Sequence, residues 1–167
     1  MKKFMVMVCA ALCLLTGCKG EEYETVSDVW SPEPLPEAQE IILDLPNEIA
    51  VPAMEETEKG ALYLCDRYML TTRITEGGDI QETILQTTGF EMEQISPIAT
   101  QSNDLKRYDC VWITAGEQGD EVCRAAILDD GYYHYVLTAS TESKNAGKLQ
   151  QTWQNIFDSF MLKDTAA

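Results

Sequence analysis

Cysteine and histidine are the residues of this 167-residue chain with the most evident chemistry, because both bind metals and cysteine can act as a nucleophile. The chain has six cysteines, at positions 9, 13, 18, 65, 110 and 123, and one histidine, His134. No two cysteines form a Cys-x-x-Cys pair, and a zinc site of the usual kind would require residues far apart in the sequence to converge. We therefore expect no metal site and no cofactor.

The sequence around His134 argues against a catalytic role for this side chain. His134 lies between Tyr133 and Tyr135 in a strand-like segment, and the chain contains no Gly-x-Ser-x-Gly nucleophile elbow. A histidine on a solvent-exposed or helix-covered face of a strand is the expectation, and we predict no catalytic residues. Several carboxylates could bind Ca²⁺ weakly, but they lack EF-hand spacing and are typical of turns. They are Glu117, Asp120, Glu121, Asp129 and Asp130.

A different kind of chemistry is indicated by Leu15-Thr16-Gly17-Cys18, which ends a short apolar run. The run begins after Lys2-Lys3, and its twelve uncharged residues, 4–15, are too few to cross a bilayer of about 30 Å as a helix. The four residues resemble the lipobox of bacterial lipoprotein signal peptides. The resemblance implies cleavage between Gly17 and Cys18, loss of residues 1–17, and attachment of lipid to the Cys18 sulfur.

Net charge restricts the partners of the exported chain. The sequence has 28 acidic and 12 basic residues, and removal of Lys2 and Lys3 with the signal leaves 12 − 2 = 10 basic residues, a side-chain charge of about −18. Such a chain is a poor partner for nucleic acid. We expect it to meet the membrane through the lipid on Cys18, at the outer face of the cytoplasmic membrane, or at an outer membrane where the host has one.

Residues 18–38 have the composition of a disordered tether. They are rich in glutamate and contain Pro32, Pro34 and Pro36 in alternation, which favours an extended polyproline II chain. A folded domain is predicted over residues 39–163, followed by a short tail, 164–167.

Within the domain, local signals predict strands and two helices. The strands are expected at 40–45, 61–64, 68–75, 95–101, 105–115, 121–128 and 132–140. Asp79, with Glu82 as the second member of a capping box, opens a helix over residues 80–88, and Gly89 closes it. Ile80, Ile84 and Leu85 are expected to line its apolar face. A last helix, 144–162, carries an apolar stripe formed by Leu149, Trp153, Ile156, Phe157 and Phe160.

The register of the hairpin formed by strands 105–115 and 121–128 determines whether Cys110 and Cys123 can form a disulfide. A two-residue turn at Gln118-Gly119 pairs Cys123 with Thr114, whereas a wider loop pairs it with Trp112. In both cases Cys110 is displaced along the ladder, beyond the roughly 7 Å that a disulfide can span. We predict no Cys110–Cys123 bond. Together with Cys65, three thiols remain after signal removal, so no complete disulfide framework is expected.

The order of these elements resembles the PsbP-like α/β/α sandwich. The resemblance covers residues 39–163 and rests on Ile41-Ile42-Leu43-Asp44-Leu45-Pro46, on the strand Tyr133–Ala139, and on the helix segment Trp153–Phe160. It implies an α+β fold with an antiparallel sheet of about six to seven strands, a short helix, and a long C-terminal amphipathic helix packed on the sheet. The whole chain is also similar to uncharacterised lipoproteins of clostridial gut bacteria.

Three functions are consistent with this fold, which mostly occurs in binding or assembly factors. The leading hypothesis is a non-catalytic accessory module that binds another envelope protein. A small-ligand-binding lipoprotein is the second, since a sheet face left uncovered by helices and rich in aromatic residues could form a platform. An envelope hydrolase with an unrecognised site is the third. The aromatic residues concerned are Tyr63, Tyr68, Tyr108, Trp112, Tyr132, Tyr133 and Tyr135.

Overall fold

The structure, a computed structural model, describes residues 33–47, 59–64, 66–117 and 119–163. Its elements are β1 (Ile41–Ile42), β2 (Gly60–Leu64), β3 (Met69–Glu76), α1 (Ile80–Thr88), α2 (Met92–Ile95), β4 (Ile98–Ser102), β5 (Leu105–Gly116), β6 (Gly119–Asp129), β7 (Tyr133–Glu142), α3 (Ser143–Ser159) and β8 (Met161–Leu162). The predicted cleavage site at Gly17-Cys18, the predicted tether as far as residue 32, Cys65 and the predicted tail 164–167 lie outside the described residues.

A six-stranded antiparallel sheet forms the centre of the fold. Its strand order is β2-β3-β7-β6-β5-β4, and a separate two-stranded sheet pairs β1 with β8. Strands that follow one another in the chain are neighbours in this sheet except β3 and β4: β3 pairs with β7, and β4 forms the far edge. The predicted α+β class, with an antiparallel sheet of this size and a C-terminal helix, is confirmed.

Helix α3 covers one face of the sheet. Its apolar residues Leu149, Trp153, Ile156 and Phe157 recur at three- and four-residue intervals, so they share one side of the helix, and all four are buried. They pack on strand residues that alternate along β6 and β7, such as Leu128. The predicted stripe is therefore part of the core.

Helices α1 and α2 cover the opposite face. The Asp79 carboxylate accepts a hydrogen bond from the Gln81 amide at 2.9 Å, and Gly89 closes α1 in the left-handed region at φ +79°. The predicted bounds of α1 are confirmed. Glu82, expected to complete a capping box, instead accepts a hydrogen bond from Gln86. The apolar face was also misjudged: Ile84 is buried, whereas Leu85 is exposed.

The C-terminal helix is shorter than predicted. It ends at Ser159, Phe160 is extended, and Met161–Leu162 forms a strand instead of a last helical turn. The reason is long-range pairing: Leu162 lies opposite Ile41 and Met161 opposite Ile42. Strand β1 is likewise shorter than predicted: it contains only Ile41 and Ile42, whereas the sequence predicted a strand over residues 40–45.

Turn geometry shifts two further features from their predicted positions: the start of β4 and the turn between β6 and β7. Ile95 belongs to helix α2, which was not predicted, and β4 starts at Ile98, after Pro97. A proline within a predicted strand indicates an edge or a bulge, and β4 forms one edge of the six-stranded sheet. The dipeptide Asp130-Gly131 predicts a two-residue hairpin turn. The β6–β7 hairpin instead turns one residue later, at Gly131-Tyr132, because Asp129 pairs with His134 and the Asp130 amide donates to the Tyr133 carbonyl.

The chain that leads into β1 is held by two tyrosines of β7. The Tyr133 hydroxyl donates to the Pro36 carbonyl at 2.8 Å, and the Gln39 amide donates to the Tyr135 hydroxyl at 2.9 Å. Tyr135 in turn donates to the Asp130 carboxylate at 2.8 Å. The compact unit begins at Leu35.

Candidate functional site

His134 is part of the packing between the sheet and helix α1. Its side chain is 1% exposed, its Nδ1 shares a 2.7 Å hydrogen bond with the Thr83 hydroxyl, and its Nε2 lies 3.8 Å from the Asp129 carboxylate. Burial lowers the pKa of His134 below its ordinary value of 6.5, although Asp129, Asp130 and Asp79 act in the opposite direction. Of the two positions expected for this strand histidine, solvent-exposed or helix-covered, the structure shows the helix-covered one.

The two described thiols lie apart in the β5–β6 ladder. Cys123 is opposite Trp112, the second of the two registers considered, and Cys110 is opposite Ala125. Both cysteines are free and buried, and desolvation by burial raises the pKa of each thiol to about 11. Neutral thiols of this kind are poor nucleophiles.

The carboxylates at the β6–β7 turn are used by the turn itself. Asp129 accepts a hydrogen bond from the Gly131 amide at 2.9 Å, while Asp130 accepts from the amides of Tyr132 and Tyr133 at 2.9 and 2.7 Å. This is ordinary Asx-turn chemistry. Across the described ranges, no cluster of three or more His, Cys, Asp or Glu side chains is arranged to hold a metal ion.

The outer half of β5 is an exposed sheet edge. In the part of the chain that the structure describes, β4 pairs with β5 only as far as Asp109, so Val111–Gly116 has a strand partner on the β6 side alone. Val111 and Ile113 are 62% and 60% exposed, and Thr114 and Ala115 are exposed as well. We call residues 111–115 the β5 edge.

Chemically, the β5 edge resembles a surface for strand addition. In an antiparallel pair, alternate residues direct their backbone N–H and C=O groups away from the neighbouring strand, so an unpaired edge offers these groups to a further strand. Residues 110–116 include no charged residue and no proline, which are the usual protection of an exposed edge. Ile98 of β4, exposed and opposite Asp109, extends the apolar surface on the face that Val111 shares.

A groove of about 530 Å³ lies at the other end of the sheet, where β2, β3 and β7 meet the C-terminal half of α1. Its lining contains two basic and several hydroxyl side chains, and we call it the Arg73 groove. The lining residues are Lys59, Gly60, Ala61, Leu62, Thr71, Thr72, Arg73, Gln86, Thr87, Val136 and Thr138.

Two hydrogen bonds between elements organise the Arg73 groove. The Arg73 guanidinium donates through Nη2 to the Thr87 hydroxyl of α1 at 3.2 Å. The hydroxyls of Thr71 and Thr138, on neighbouring strands, lie 2.5 Å apart. This groove was not predicted from the sequence, although the run Thr71-Thr72-Arg73 in a predicted strand was a polar signal.

The aromatic residues do not form the platform considered from the sequence. Tyr68, Tyr108 and Tyr135 are buried, while Tyr132 is exposed at a turn. Tyr63 lines a second hollow, beside the apolar residues of the segment 38–45, rather than the Arg73 groove.

Comparison with known proteins supports the fold and little else. No protein-family model matches this sequence, and no curated protein does. Among solved structures, LpqN, described as involved in cell envelope biogenesis of Mycobacterium tuberculosis, superposes with a TM-score of 0.53 at 12% identity, covering 78% of this chain and 87% of LpqN. The Saccharomyces cerevisiae Ran-binding protein Mog1p has a TM-score of 0.47 at 12% identity, covering 75% and 92% of the two chains. At these identities the similarity shows the fold alone.

No helix in the described residues is both long and apolar enough to span a membrane.

Proposed function

We propose that this protein is a lipid-anchored accessory or assembly module of the bacterial cell envelope, which binds an extended segment of another envelope protein and catalyses no reaction. The lipobox-like Leu15-Thr16-Gly17-Cys18 supports the anchor and the extracytoplasmic location. The shared fold of LpqN, an envelope biogenesis protein, is consistent with an envelope role. The observation that carries the binding function is the β5 edge.

The β5 edge favours a partner strand of defined chemistry. An added strand would gain main-chain hydrogen bonds along residues 111–115 and bury the exposed side chains of Val111 and Ile113. Glu117 and Asp120, at the tip of the same hairpin, are exposed and acidic. The partner segment is therefore apolar at alternate positions and neutral or basic at its ends.

A second copy of this chain fits the edge less well than such a partner. Each copy without residues 1–17 would carry a total side-chain charge of about −18. Repulsion between two such copies opposes self-association at low ionic strength. A segment with basic ends has the opposite sign and is attracted.

We test this proposal with a photo-crosslinking residue placed at Ile113 in intact cells, and at Leu64 as a matched control. Both positions are exposed strand residues, 60% and 54% exposed, but Leu64 is in β2 at the opposite edge of the sheet. We expect Ile113 to crosslink an extended segment of one envelope protein. A synthetic peptide of that segment should bind the purified lipoprotein, and Ile113→Lys should weaken this binding about tenfold or more, since lysine blocks edge pairing.

Leu64→Lys introduces the same charge and should leave peptide binding within about twofold of the wild type. Crosslinking of Ile113 only to a second copy of this chain would replace the proposal with self-association. Equal loss of binding in Leu64→Lys would show that the β5 edge is not the docking surface.

A further inference from the structure

We propose that the Arg73 groove binds a small organic anion, with a carboxylate or phosphate head held by Arg73 and a short apolar body. This site is independent of the β5 edge, because the two lie at opposite ends of the six-stranded sheet.

The charge of the groove is the first reason. The sequence carries 28 acidic and 12 basic residues, yet the described lining of the groove includes Lys59 and Arg73 and no carboxylate. A local positive region on an otherwise acidic surface attracts anions, and the walls of a groove strengthen its field.

The bonding of Arg73 is the second reason. Three arginines in the described residues are partly buried, and two of them are satisfied by the same carboxylate: Arg107 forms a forked pair with Asp109, and Arg124 lies 3.5 Å from it. Among the described residues, the Arg73 side chain has no carboxylate within 4 Å, and Thr87 is its one hydrogen-bond partner. A guanidinium has five N–H donors in a fixed planar fork that matches the geometry of carboxylate and phosphate. Most of these donors remain available to a ligand.

Thr87 fixes the position of the guanidinium without neutralising it. The Nη2–Oγ1 bond ties the Arg73 side chain to helix α1, so less rotational freedom is lost when an anion binds. Nearby, Thr71 and Thr138 share one hydrogen bond between their hydroxyls, which uses one of their two protons. The other proton is available to an acceptor.

The remaining lining defines the body of the ligand. Leu62 and Val136 are apolar, so the part of the ligand beside them is expected to be apolar too. A volume of about 530 Å³ is within the range of small-molecule sites, about 300–1,000 Å³. The groove therefore suits an anion with a ring or short chain better than a bare inorganic ion.

Calorimetric titration of the purified lipoprotein in non-ionic detergent tests the site. The probes are phenyl phosphate and benzoate as anions with an apolar body, inorganic phosphate as a head alone, and benzyl alcohol as a neutral body. We expect at least one of the two aromatic anions to bind more tightly than both inorganic phosphate and benzyl alcohol. The tighter of the two identifies the head group.

Arg73→Gln should weaken binding of that anion about tenfold or more, as expected for loss of a charged hydrogen-bond donor. Arg67→Gln is the matched control: it removes the same charge from an exposed arginine outside the groove and should leave the affinity within about twofold. Arg73→Lys keeps the charge but lacks the fork, so its affinity should lie between the two.

Thr87→Val provides a second variant in case Arg73→Gln is poorly folded, and it should weaken binding about threefold because the guanidinium is no longer held in place. Equal weakening by Arg67→Gln and Arg73→Gln would overturn the proposal. So would binding of benzyl alcohol as tight as that of the aromatic anions, or no heat of binding from either anion up to about 10 mM.

Discussion

His134 places an ionisable group where a charge is costly, and this has a consequence for stability. The ring is enclosed between β7 and α1, and its Nδ1 is already bonded to Thr83. Because burial lowers its pKa, the folded protein binds a proton at His134 less readily than the unfolded chain does. The stabilising effect of the neutral ring is complete above the unfolded pKa of 6.5 and is lost as the pH falls below it.

We predict that the free energy of unfolding decreases between pH 7.5 and pH 5.5 through His134, with a slope of up to about 1.4 kcal/mol per pH unit below the unfolded pKa. Urea unfolding at both values, for wild type and His134→Gln, measures it. The variant should be less stable at pH 7.5, because Thr83 loses its partner, but its stability should change less with pH. An identical pH dependence for the two proteins would contradict the role given to His134.

Single residues show what the sequence could and could not predict about the sites. The strand position of His134 was predicted, but the sequence left open whether solvent or a helix covers that face, because the packing of α1 on the sheet depends on long-range contacts. The Arg73 groove was missed, because Arg73, Thr87 and Thr138 come from three elements. Their proximity depends on β7 inserting beside β3, which no local pattern in the sequence reveals.

Helix α3 is the largest apolar contribution to one side of the core. Trp153 is 6% exposed and packs in the cluster that also contains Phe157 and Leu137. Its indole Nε1 is buried and has no hydrogen-bond partner within the described residues. The ring therefore contributes through packing and apolar burial.

Replacement of Trp153 by alanine should leave a cavity between α3 and the sheet and reduce the free energy of unfolding by about 3–5 kcal/mol. Trp153→Phe should cost less, since it keeps most of the volume and removes the unpartnered N–H. Gln150→Ala, on the exposed side of the same helix, should change stability by less than about 0.5 kcal/mol. Chemical denaturation of the four proteins compares these values, and equal midpoints for wild type and Trp153→Ala would show that the stripe faces a partner instead of the core.

At the level of elements, helix ends that depend on nearby residues were predicted correctly, whereas an end that depends on long-range strand pairing was not. The bounds of α1 were predicted because Asp79 and Gly89 mark its ends locally. The end of α3 was not, since Met161–Leu162 leaves the helical pattern to pair with Ile41–Ile42, more than one hundred residues earlier in the chain. The α+β class was nevertheless predicted correctly, because it depends on the order of whole helices and strands and not on where each of them ends.

For the whole molecule, the proposed lipid on Cys18 is the feature on which the expected location depends. We predict that Cys18→Ala abolishes incorporation of labelled palmitate and moves the protein from the membrane fraction to the soluble fraction. The folded domain, whose compact unit begins at Leu35, should keep its melting temperature. A variant that stays in the membrane fraction would contradict the lipid anchor.

The same variant separates the functions that remain open. A released accessory module should still bind the partner peptide in solution, but it should support the cellular role less well, because membrane attachment raises the effective concentration of the two proteins. An enzyme acting on a diffusible substrate would lose little activity when it is released from the membrane. Full function of the released form would therefore favour the ligand-binding or enzymatic alternatives.

The attachment of the segment 36–42 has a mechanical consequence. If lipid on Cys18 and a partner strand at the β5 edge hold the protein, as we propose, the chain carries tension whenever the membrane and the partner move apart. Force applied through the chain before Leu35 reaches the fold at the Pro36–Tyr133 and Gln39–Tyr135 hydrogen bonds, and then at the two-residue pairing of β1 with β8. These few bonds would yield before any strand of the six-stranded sheet does. Under such a load we expect the segment 36–42 to detach and extend first, while the β5 edge keeps its shape.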